Sequence, residues 1–115
     1  MTKVVISVGG SVLVPTLETH RLMEWADALK TLVKAGHQVF AVVGGGGEAR
    51  RYIKVCRDIG LDEASADEFG ILITRINARL LIAALGEYAY PRVSESYLDA
   101  KEFALTGKVV VMGGV

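Results

Sequence analysis

The stretch FAVVGGGGEARRYI, Phe40 to Ile53, decides the fold of this chain and raises the first question about its function. An apolar run ends there in four consecutive glycines, and two arginines follow closely behind them. Glycine loses more conformational freedom on folding than any other residue, so a run of four is an expensive way to make an ordinary turn. The stretch predicts a strand, a turn and a helix, with a group that approaches the backbone closely at the turn.

Two other apolar runs resemble the one before the glycines. All three lack strict alternation, which is typical of strands covered on both faces of a parallel sheet. The predicted strands are Val4 to Val8, Val39 to Val43 and Lys108 to Met112. Helical patterns separate them, so the sequence predicts an α/β domain with a mainly parallel sheet. Tyr88 to Val93 is predicted as a short additional strand, at an edge because it contains Pro91.

Apolar residues with helical spacing predict two helices around the second strand. The first helix contains Leu22 to Val33 and ends before Gly36, and the second follows the glycines and ends at Gly60. The buried face of the second helix is predicted to be Ala49, Tyr52, Ile53, Cys56 and Ile59.

Two more helices are predicted in the second half of the chain. Asp67 to Leu85 is apolar nearly all round, so we expect it to be buried on several sides, with a second subunit as one candidate cover. The acidic stretch Leu61 to Glu68 before it is predicted to be a solvated connection rather than a site. Ser96 and Asp99 have the spacing of a capping box for the last helix.

Composition excludes several classes of protein. With 51% hydrophobic and 23% charged residues the chain is not disordered, and 115 residues suit a single domain. Thirteen basic and thirteen acidic residues cancel, so no overall charge favours a nucleic acid polymer or a membrane surface. The apolar runs are short for a membrane span, and Cys56 is the single cysteine, which excludes an internal disulfide. These observations predict a cytoplasmic protein.

Glycines follow each of the three predicted strands. Ligands of open parallel sheets bind beyond the carboxyl ends of the strands, where glycine lets phosphate oxygens reach backbone N–H groups. The pattern therefore predicts a phosphate-binding crevice, although tight turns between strands and helices also use glycine. The Walker phosphate motif does not occur, and the match of Gly44, Gly46 and Ala49 to the dinucleotide fingerprint lacks the acid-ended strand that should follow.

Arg50 and Arg51 lie close to the predicted start of the second helix. The helix dipole disfavours a cation near the N-terminus, so an anionic partner is expected. The two side chains leave a helix in different directions. Arg50, next to Ala49 on the buried face, is the better candidate for the crevice, and Arg51 is expected to be solvated.

Four stretches together resemble the amino-acid kinase family, and most closely its archaeal-type uridylate kinases. They are GGSVLVP (Gly9 to Pro15), VVGGGGEARRYI (Val42 to Ile53), DEFGILITRINARLLIAAL (Asp67 to Leu85) and VVVMGG (Val109 to Gly114). The resemblance implies a three-layer sandwich with a mainly parallel sheet, of which residues 1–115 form the N-terminal, phosphate-acceptor portion. It also implies phosphorylation of UMP to UDP by ATP with Mg²⁺, in pyrimidine nucleotide biosynthesis.

Carried over by position, the resemblance implies two sets of binding residues. The ATP-binding set is Gly9, Gly10, Ser11, Gly46 and Arg50, with Arg50 also stabilising charge during catalysis. The UMP-binding set is Gly45, Asp67 and Val115, with Asp67 accepting hydrogen bonds from the ribose hydroxyls. No residue is implied as a metal ligand. The partners implied are UMP, ATP and further copies of the chain, which form a hexamer in the resembled family.

Several alternatives stay open at this point. Ser7 stands where many family members have a lysine, so the cation for the transferred phosphoryl group must come from elsewhere. The chain stops where the acceptor loop would begin, which predicts a truncated chain or a split gene product. Asp67 is either the ribose ligand or only the cap of its helix. The function is that of a uridylate kinase, of another small-molecule kinase of the family, or of a non-catalytic nucleotide- or oxyanion-binding domain.

Overall fold

The computed structural model describes residues 2–9 and 19–114 and contains the predicted alternation of strands and helices. The elements are β1 (Lys3–Val8), α1 (Thr19–Lys34), β2 (Gln38–Val43), α2 (Gly46–Asp58), α3 (Glu63–Leu85), a 3₁₀ turn (Gly86–Tyr88), α4 (Tyr97–Ala104) and β3 (Val110–Gly113). Gly36 and Gly60 follow α1 and α2 with φ of 91° at both residues, which confirms them as the predicted helix stops.

The described strands form one parallel sheet in the order β1-β2-β3. Its register pairs Val8 with Val43 and Val43 with Gly113, so the last residues of all three strands lie in one row. Because the strands are parallel, the chain leaves all of them at the same edge, where it continues into the glycines.

Side chains of successive strand residues point to opposite faces and build two hydrophobic cores. The core that includes α1 and α3 takes Val39, Ala41, Val43, Val109 and Val111 from the sheet. The core that includes α4 takes Phe40, Val42, Val110 and Met112. Helices therefore cover both faces of the sheet, which confirms the three-layer α/β sandwich.

Two expectations about strands are wrong. β2 and β3 are largely buried, but β1 is not covered on both faces, and Val5 is 68% exposed. β1 lies at the outside of the described sheet, where it pairs with β2 alone. The segment Tyr88 to Val93 forms no strand. Ala89 forms an isolated bridge with Val109, just before β3, and Ser94 forms another with Met112 in β3.

The long helix α3 differs from its prediction at its start and in its burial. It begins at Glu63 after the N-cap residue Asp62, so most of the acidic stretch is helical and not a connection. Small residues and leucines form its buried face: Ala66, Gly70, Ala78, Leu81 and Leu85. Four exposed apolar side chains lie along another side of the helix, and we call this set the open face of α3: Phe69, Leu72, Ile76 and Leu80. Ile71 is also exposed but does not lie on this face.

By length and composition alone, the stretch Glu63–Tyr88 would be long and apolar enough to cross a membrane, with a mean hydropathy of 1.5. In this fold the same helix packs against α1, α2, β2 and β3. It also carries Arg75 and Arg79 within its span. One face of it therefore belongs to the core of the sandwich, where its small residues allow close packing on the sheet.

The smaller helices confirm part of their predicted faces. Ala49 and Cys56 of α2 are buried, whereas Tyr52 and Ile59 are exposed, so the predicted buried face of α2 is too wide. In α4 the predicted cap is present: the backbone N–H of Asp99 donates to the Ser96 hydroxyl oxygen at 3.1 Å.

Candidate functional site

The glycines meet at the edge where the three strands end. Gly9 follows β1, and the N–H of Gly44 donates to the carbonyl oxygen of Val8 at 2.9 Å, which links the ends of β1 and β2. Gly113 ends β3 in register with Val43, and Gly114 follows it. The predicted convergence of glycine-ended strands on one edge is therefore confirmed.

The turn between β2 and α2 needs glycine for two different physical reasons. A Cβ atom on Gly45 would lie 2.4 Å from the Cβ of Ala49, which is too close for any side chain at position 45. Gly46, the first residue of α2, has a φ of 65°, a left-handed conformation that other residues adopt only with strain. Close packing and backbone conformation thus account for these two glycines, and they leave the backbone bare at the turn.

Helix α3 forms the floor beneath this turn. The Asn77 side-chain nitrogen Nδ2 donates to the carbonyl oxygens of Gly44 at 3.1 Å and Gly45 at 3.4 Å. A Cβ on Gly45 would also be 3.4 Å from the Thr74 methyl group. Asn77 is not among the predicted site residues, because nothing local connects it to glycines more than thirty positions earlier.

A cavity of about 480 Å³ opens at the ends of β2 and β3. Its lining combines strand ends, α2 and the first half of α3: Val42, Val43, Ala49, Asp67, Gly70, Ile71, Thr74 and Gly114. Among the described residues of this lining, Asp67 is the one carboxylate. The structure thus brings Asp67 together with the ends of β2 and β3, whereas Gly45 is not among the lining residues.

Asp67 is not the cap of its helix. The cap position is Asp62, and Asp67 lies in the second turn of α3, so its backbone already belongs to the helix. The alternative that Asp67 only caps the helix is therefore wrong. The expectation that it sits at the helix start is wrong for the same reason.

The two arginines of α2 have different surroundings. Arg51 forms an ion pair with Glu48 one turn earlier, and both side chains are mostly exposed. Arg50 is also exposed, and it has no hydrogen-bond or ion-pair partner among the residues that the structure describes. Neither arginine is among the described residues that line the cavity.

Three predicted site residues, Gly10, Ser11 and Val115, lie outside the described residues. Ser7, which stands at the position of the family lysine, is exposed near the end of β1. Across residues 2–9 and 19–114, no three His, Cys, Asp or Glu side chains are close enough together to hold a metal ion.

A larger groove of about 790 Å³ runs between α3 and the segment that leads to α4. Its wall includes Leu72 and Ile76 of the open face. Arg75 and Glu95 cross it with an N–O distance of 3.3 Å. The groove and the open face of α3 thus form one partly apolar surface along this helix.

The geometry agrees with comparisons to known proteins. The model for the amino acid kinase family matches residues 2–112, nearly the whole chain. This chain belongs to the amino acid kinase family. Its fold and the glycine-ended strands are those that the family resemblance implied.

Individual members of the family are similar over the full length of this chain. A uridylate kinase of Methanocorpusculum labreanum is 74% identical over all 115 residues, which make up 49% of that protein. A uridylate kinase of Methanoculleus marisnigri is 59% identical over the same span. The crystal structure of uridylate kinase from Archaeoglobus fulgidus superposes with a TM-score of 0.90 at 42% identity, covering 100% of this chain and 51% of that one. The chain therefore spans about half the length of these uridylate kinases.

Proposed function

We propose that residues 1–115 supply the phosphate-acceptor half of a uridylate kinase. In this proposal they form the N-terminal portion of one amino-acid-kinase-like domain. The observation that carries the proposal is the position of Asp67, which lines one cavity with Gly114 and with the end of β2. A carboxylate beside bare backbone offers acceptors for ribose hydroxyls next to donors for phosphates. The identity of 74% to a uridylate kinase supports the same assignment.

The proposed reaction joins UMP and ATP directly. An oxygen of the UMP phosphate attacks the γ-phosphorus of ATP, the bond from that phosphorus to the bridging oxygen breaks, and ADP leaves while UDP forms. Such a transfer depends on positioning and on charge stabilisation more than on a covalent protein intermediate. The absence of a nucleophile–base pair from the predicted motifs is consistent with this chemistry.

Each site residue has a proposed task in that reaction. Gly45 contacts the UMP phosphate, Gly46 contacts ATP, and Arg50 neutralises charge on the transferred group. Gly9, Gly10 and Ser11 lie along the ATP phosphates, and the loop that begins at Val115 contacts UMP. Ser7 cannot supply a cation, so in this proposal Arg50 has a larger share of the charge stabilisation.

Magnesium enters this proposal as part of the ATP substrate. Mg²⁺ keeps several waters and often binds through phosphates and one or two carboxylates. Near the glycine turn the described carboxylates are Asp67, which is assigned to ribose, and Glu48, which pairs with Arg51. No protein ligand for Mg²⁺ is therefore assigned.

The proposed partners are UMP, ATP and further copies of the chain. The open face of α3 suits a contact between copies, because it presents four large apolar side chains to solvent. Balanced charge gives no reason to expect a nucleic acid polymer or a membrane as a partner. We propose a cytoplasmic location on the same grounds.

The experiment needs a chain of the length of its relatives. We define the assay protein as residues 1–115 joined to the part of the Methanocorpusculum labreanum relative that lies beyond the match. Production of ADP is measured with ATP and Mg²⁺ in the presence of UMP, dUMP, a carboxylate acceptor or an isoprenoid phosphate. We expect turnover with UMP, weaker turnover with dUMP because one ribose hydroxyl is missing, and none with the other two acceptors.

The other outcomes would identify the rival functions. Turnover with a carboxylate or an isoprenoid phosphate, but not with UMP, would make this another small-molecule kinase of the family. Calorimetric binding of ATP or UMP without any turnover would leave a nucleotide-binding domain and would overturn the kinase proposal.

A further inference from the structure

Asn77 makes a long-range contact that the proposed roles do not use. Its Nδ2 atom donates to two successive backbone carbonyl oxygens, those of Gly44 at 3.1 Å and Gly45 at 3.4 Å. The side chain is half-buried in the interface between α3 and the turn. One amide group thus contacts two consecutive peptide units of the glycine run, and the Gly45 carbonyl oxygen also accepts from the backbone N–H of Ala49 at 3.5 Å.

The planarity of the peptide bond gives this contact a consequence for the site. In a trans peptide the carbonyl of one residue and the N–H of the next point in opposite directions. Holding the carbonyls of Gly44 and Gly45 against α3 therefore turns the N–H groups of Gly45 and Gly46 away from Asn77. Among the described residues, no hydrogen-bond acceptor is found for either of these N–H groups.

A run of glycines needs such hydrogen bonds to fix the orientation of its peptide units more than another sequence would. Glycine populates positive and negative φ about equally, so a peptide unit between two glycines can turn over at little cost. A turned unit would present its carbonyl oxygen to the phosphate instead of its N–H, and like partial charges would repel. An outside donor that binds only the carbonyls selects the orientation with the N–H groups free.

We propose that Asn77 is a positioning residue that holds the glycine turn in its phosphate-accepting orientation. This inference rests on the proposed function for its ligands, UMP and ATP. It assigns to α3 a second task besides packing: the helix that carries Asp67 also orients the N–H groups that receive the phosphates. Asp67 and Asn77 lie on the same rigid helix, so α3 would align ribose and phosphate contacts together.

Gln38 provides a matched control. Its Nε2 atom donates to the carbonyl oxygen of Lys108 at 3.1 Å, which is likewise a single side-chain amide on a distant backbone carbonyl. Gln38 is the first residue of β2 and lies at the opposite end of that strand from the glycines. A merely structural role of Asn77 would make variants at the two positions behave alike.

The test compares Asn77→Asp with Gln38→Glu, and Asn77→Ala with Gln38→Ala, in the assay protein. The aspartate keeps the shape of Asn77 but sets a carboxylate against two carbonyl oxygens. We expect KM for UMP and ATP to rise about tenfold in the Asn77 variants, as loss of an oriented hydrogen bond predicts, and to stay within about twofold in the Gln38 variants. If an aspartate variant does not fold, the alanine pair decides.

A second readout needs no nucleotide. In ¹⁵N–¹H NMR spectra we expect the signals of Gly45 and Gly46 to be single and sharp in the unaltered protein, and doubled or broadened in both Asn77 variants. Unchanged glycine signals in both Asn77 variants would overturn the inference. If the unaltered protein phosphorylates no UMP, the proposed function fails, and the glycine signals still decide the role of Asn77.

Discussion

Arg57, in the last turn of α2, donates two parallel hydrogen bonds to Glu63, the first residue of α3. The Nε atom lies 2.8 Å from Oε1, and Nη2 lies 2.9 Å from Oε2. This hydrogen bonding, and after it the positive charge, holds the pKa of Glu63 below its ordinary value of 4.5. The same pair raises the pKa of Arg57 above its ordinary value. The pair joins α2 and α3, the two helices that help to line the cavity.

We predict that Glu63→Gln lowers the melting temperature slightly at pH 7 and not at acid pH. A carboxyl whose pKa is lowered by folding stabilises the protein above its unfolded pKa, and the contribution disappears as pH falls through the folded pKa. Both side chains are largely exposed, so solvent screening keeps the effect small.

Thermal melting of the unaltered protein and of Glu63→Gln between pH 7 and pH 3 tests this prediction. In an Arg57→Gln background, Glu63→Gln should lose its pH-dependent effect, because the donor that lowers the pKa is gone. A difference that grows towards acid pH would contradict the assignment.

We predict that Gly45→Ala destabilises the protein by about 1–3 kcal/mol, as overpacking does in other cores. The reason is the 2.4 Å approach of the new Cβ to the Cβ of Ala49, which is attached directly to the backbone and cannot swing away. The free energy of unfolding, measured with urea, would show the loss.

Gly70→Ala is the control for this prediction. Its new Cβ would meet the flexible end of Ile53 at 3.0 Å, and alanine is the better helix former by up to about 1 kcal/mol. We expect it to be neutral or stabilising. Equal losses for both variants would mean that close approach at Gly45 is not what requires glycine there.

The periodic parts of the fold could be predicted from the sequence. Local patterns predict β2 from the run Val39 to Val43 and α1 from the spacing of Ala26 and Leu29. Both elements lie where these patterns predict them. The predicted start of α3 at Asp67 is wrong, because the acidic residues before it are helical from Glu63 onward. Glutamate and alanine favour helix, and Asp62 occupies the N-cap position.

The rest depends on contacts that no local pattern contains. How many layers cover β1 is a property of the whole sheet, so the exposure of Val5 could not be inferred from an apolar run. The same holds for Asn77, whose partners lie more than thirty residues away. For the candidate site, the glycines at the strand ends and Asp67 could be predicted from the sequence, but the helix floor beneath the glycines could not.

We predict that Ile76→Asp prevents self-association of the assay protein. Ile76 is 54% exposed on the open face of α3, and a carboxylate there would have to be desolvated in a contact between copies. Size-exclusion chromatography with light scattering measures the mass of the particles.

Val55→Asp is the matched control for Ile76→Asp. Val55 is 57% exposed on α2 and does not belong to the open face. We expect it to leave the mass unchanged. An unaltered protein that is already monomeric at micromolar concentration would contradict the proposed contact between copies.

We predict that Arg50→Ala lowers kcat/KM of the assay protein far more than Arg51→Ala does. Loss of a charge-assisted phosphate contact costs about 1.5–3 kcal/mol, which is roughly tenfold to a hundredfold in rate. Arg51 already pairs with Glu48 at the surface, so its removal should change kcat/KM little. Steady-state rates with UMP and ATP test this, and equal losses would remove Arg50 from the site.

The last prediction concerns Asp67, the residue that most separates UMP from other acceptors. A carboxylate has only acceptor oxygens, and the two ribose hydroxyls offer two donors, so both can be bound at once. Asn has one acceptor oxygen, so Asp67→Asn should weaken UMP binding by roughly tenfold to a hundredfold. ATP binding should change least.

Because Asp67 is not the helix cap, the same substitution should leave the melting temperature nearly unchanged. Glu68→Gln is the matched control: it removes one charge from the neighbouring exposed position of α3, which is not part of the cavity lining. Calorimetric titration with UMP compares the two variants. If Asp67→Asn binds UMP as tightly as Glu68→Gln does, Asp67 does not bind the ribose, and the preference for UMP must come from residues outside this cavity.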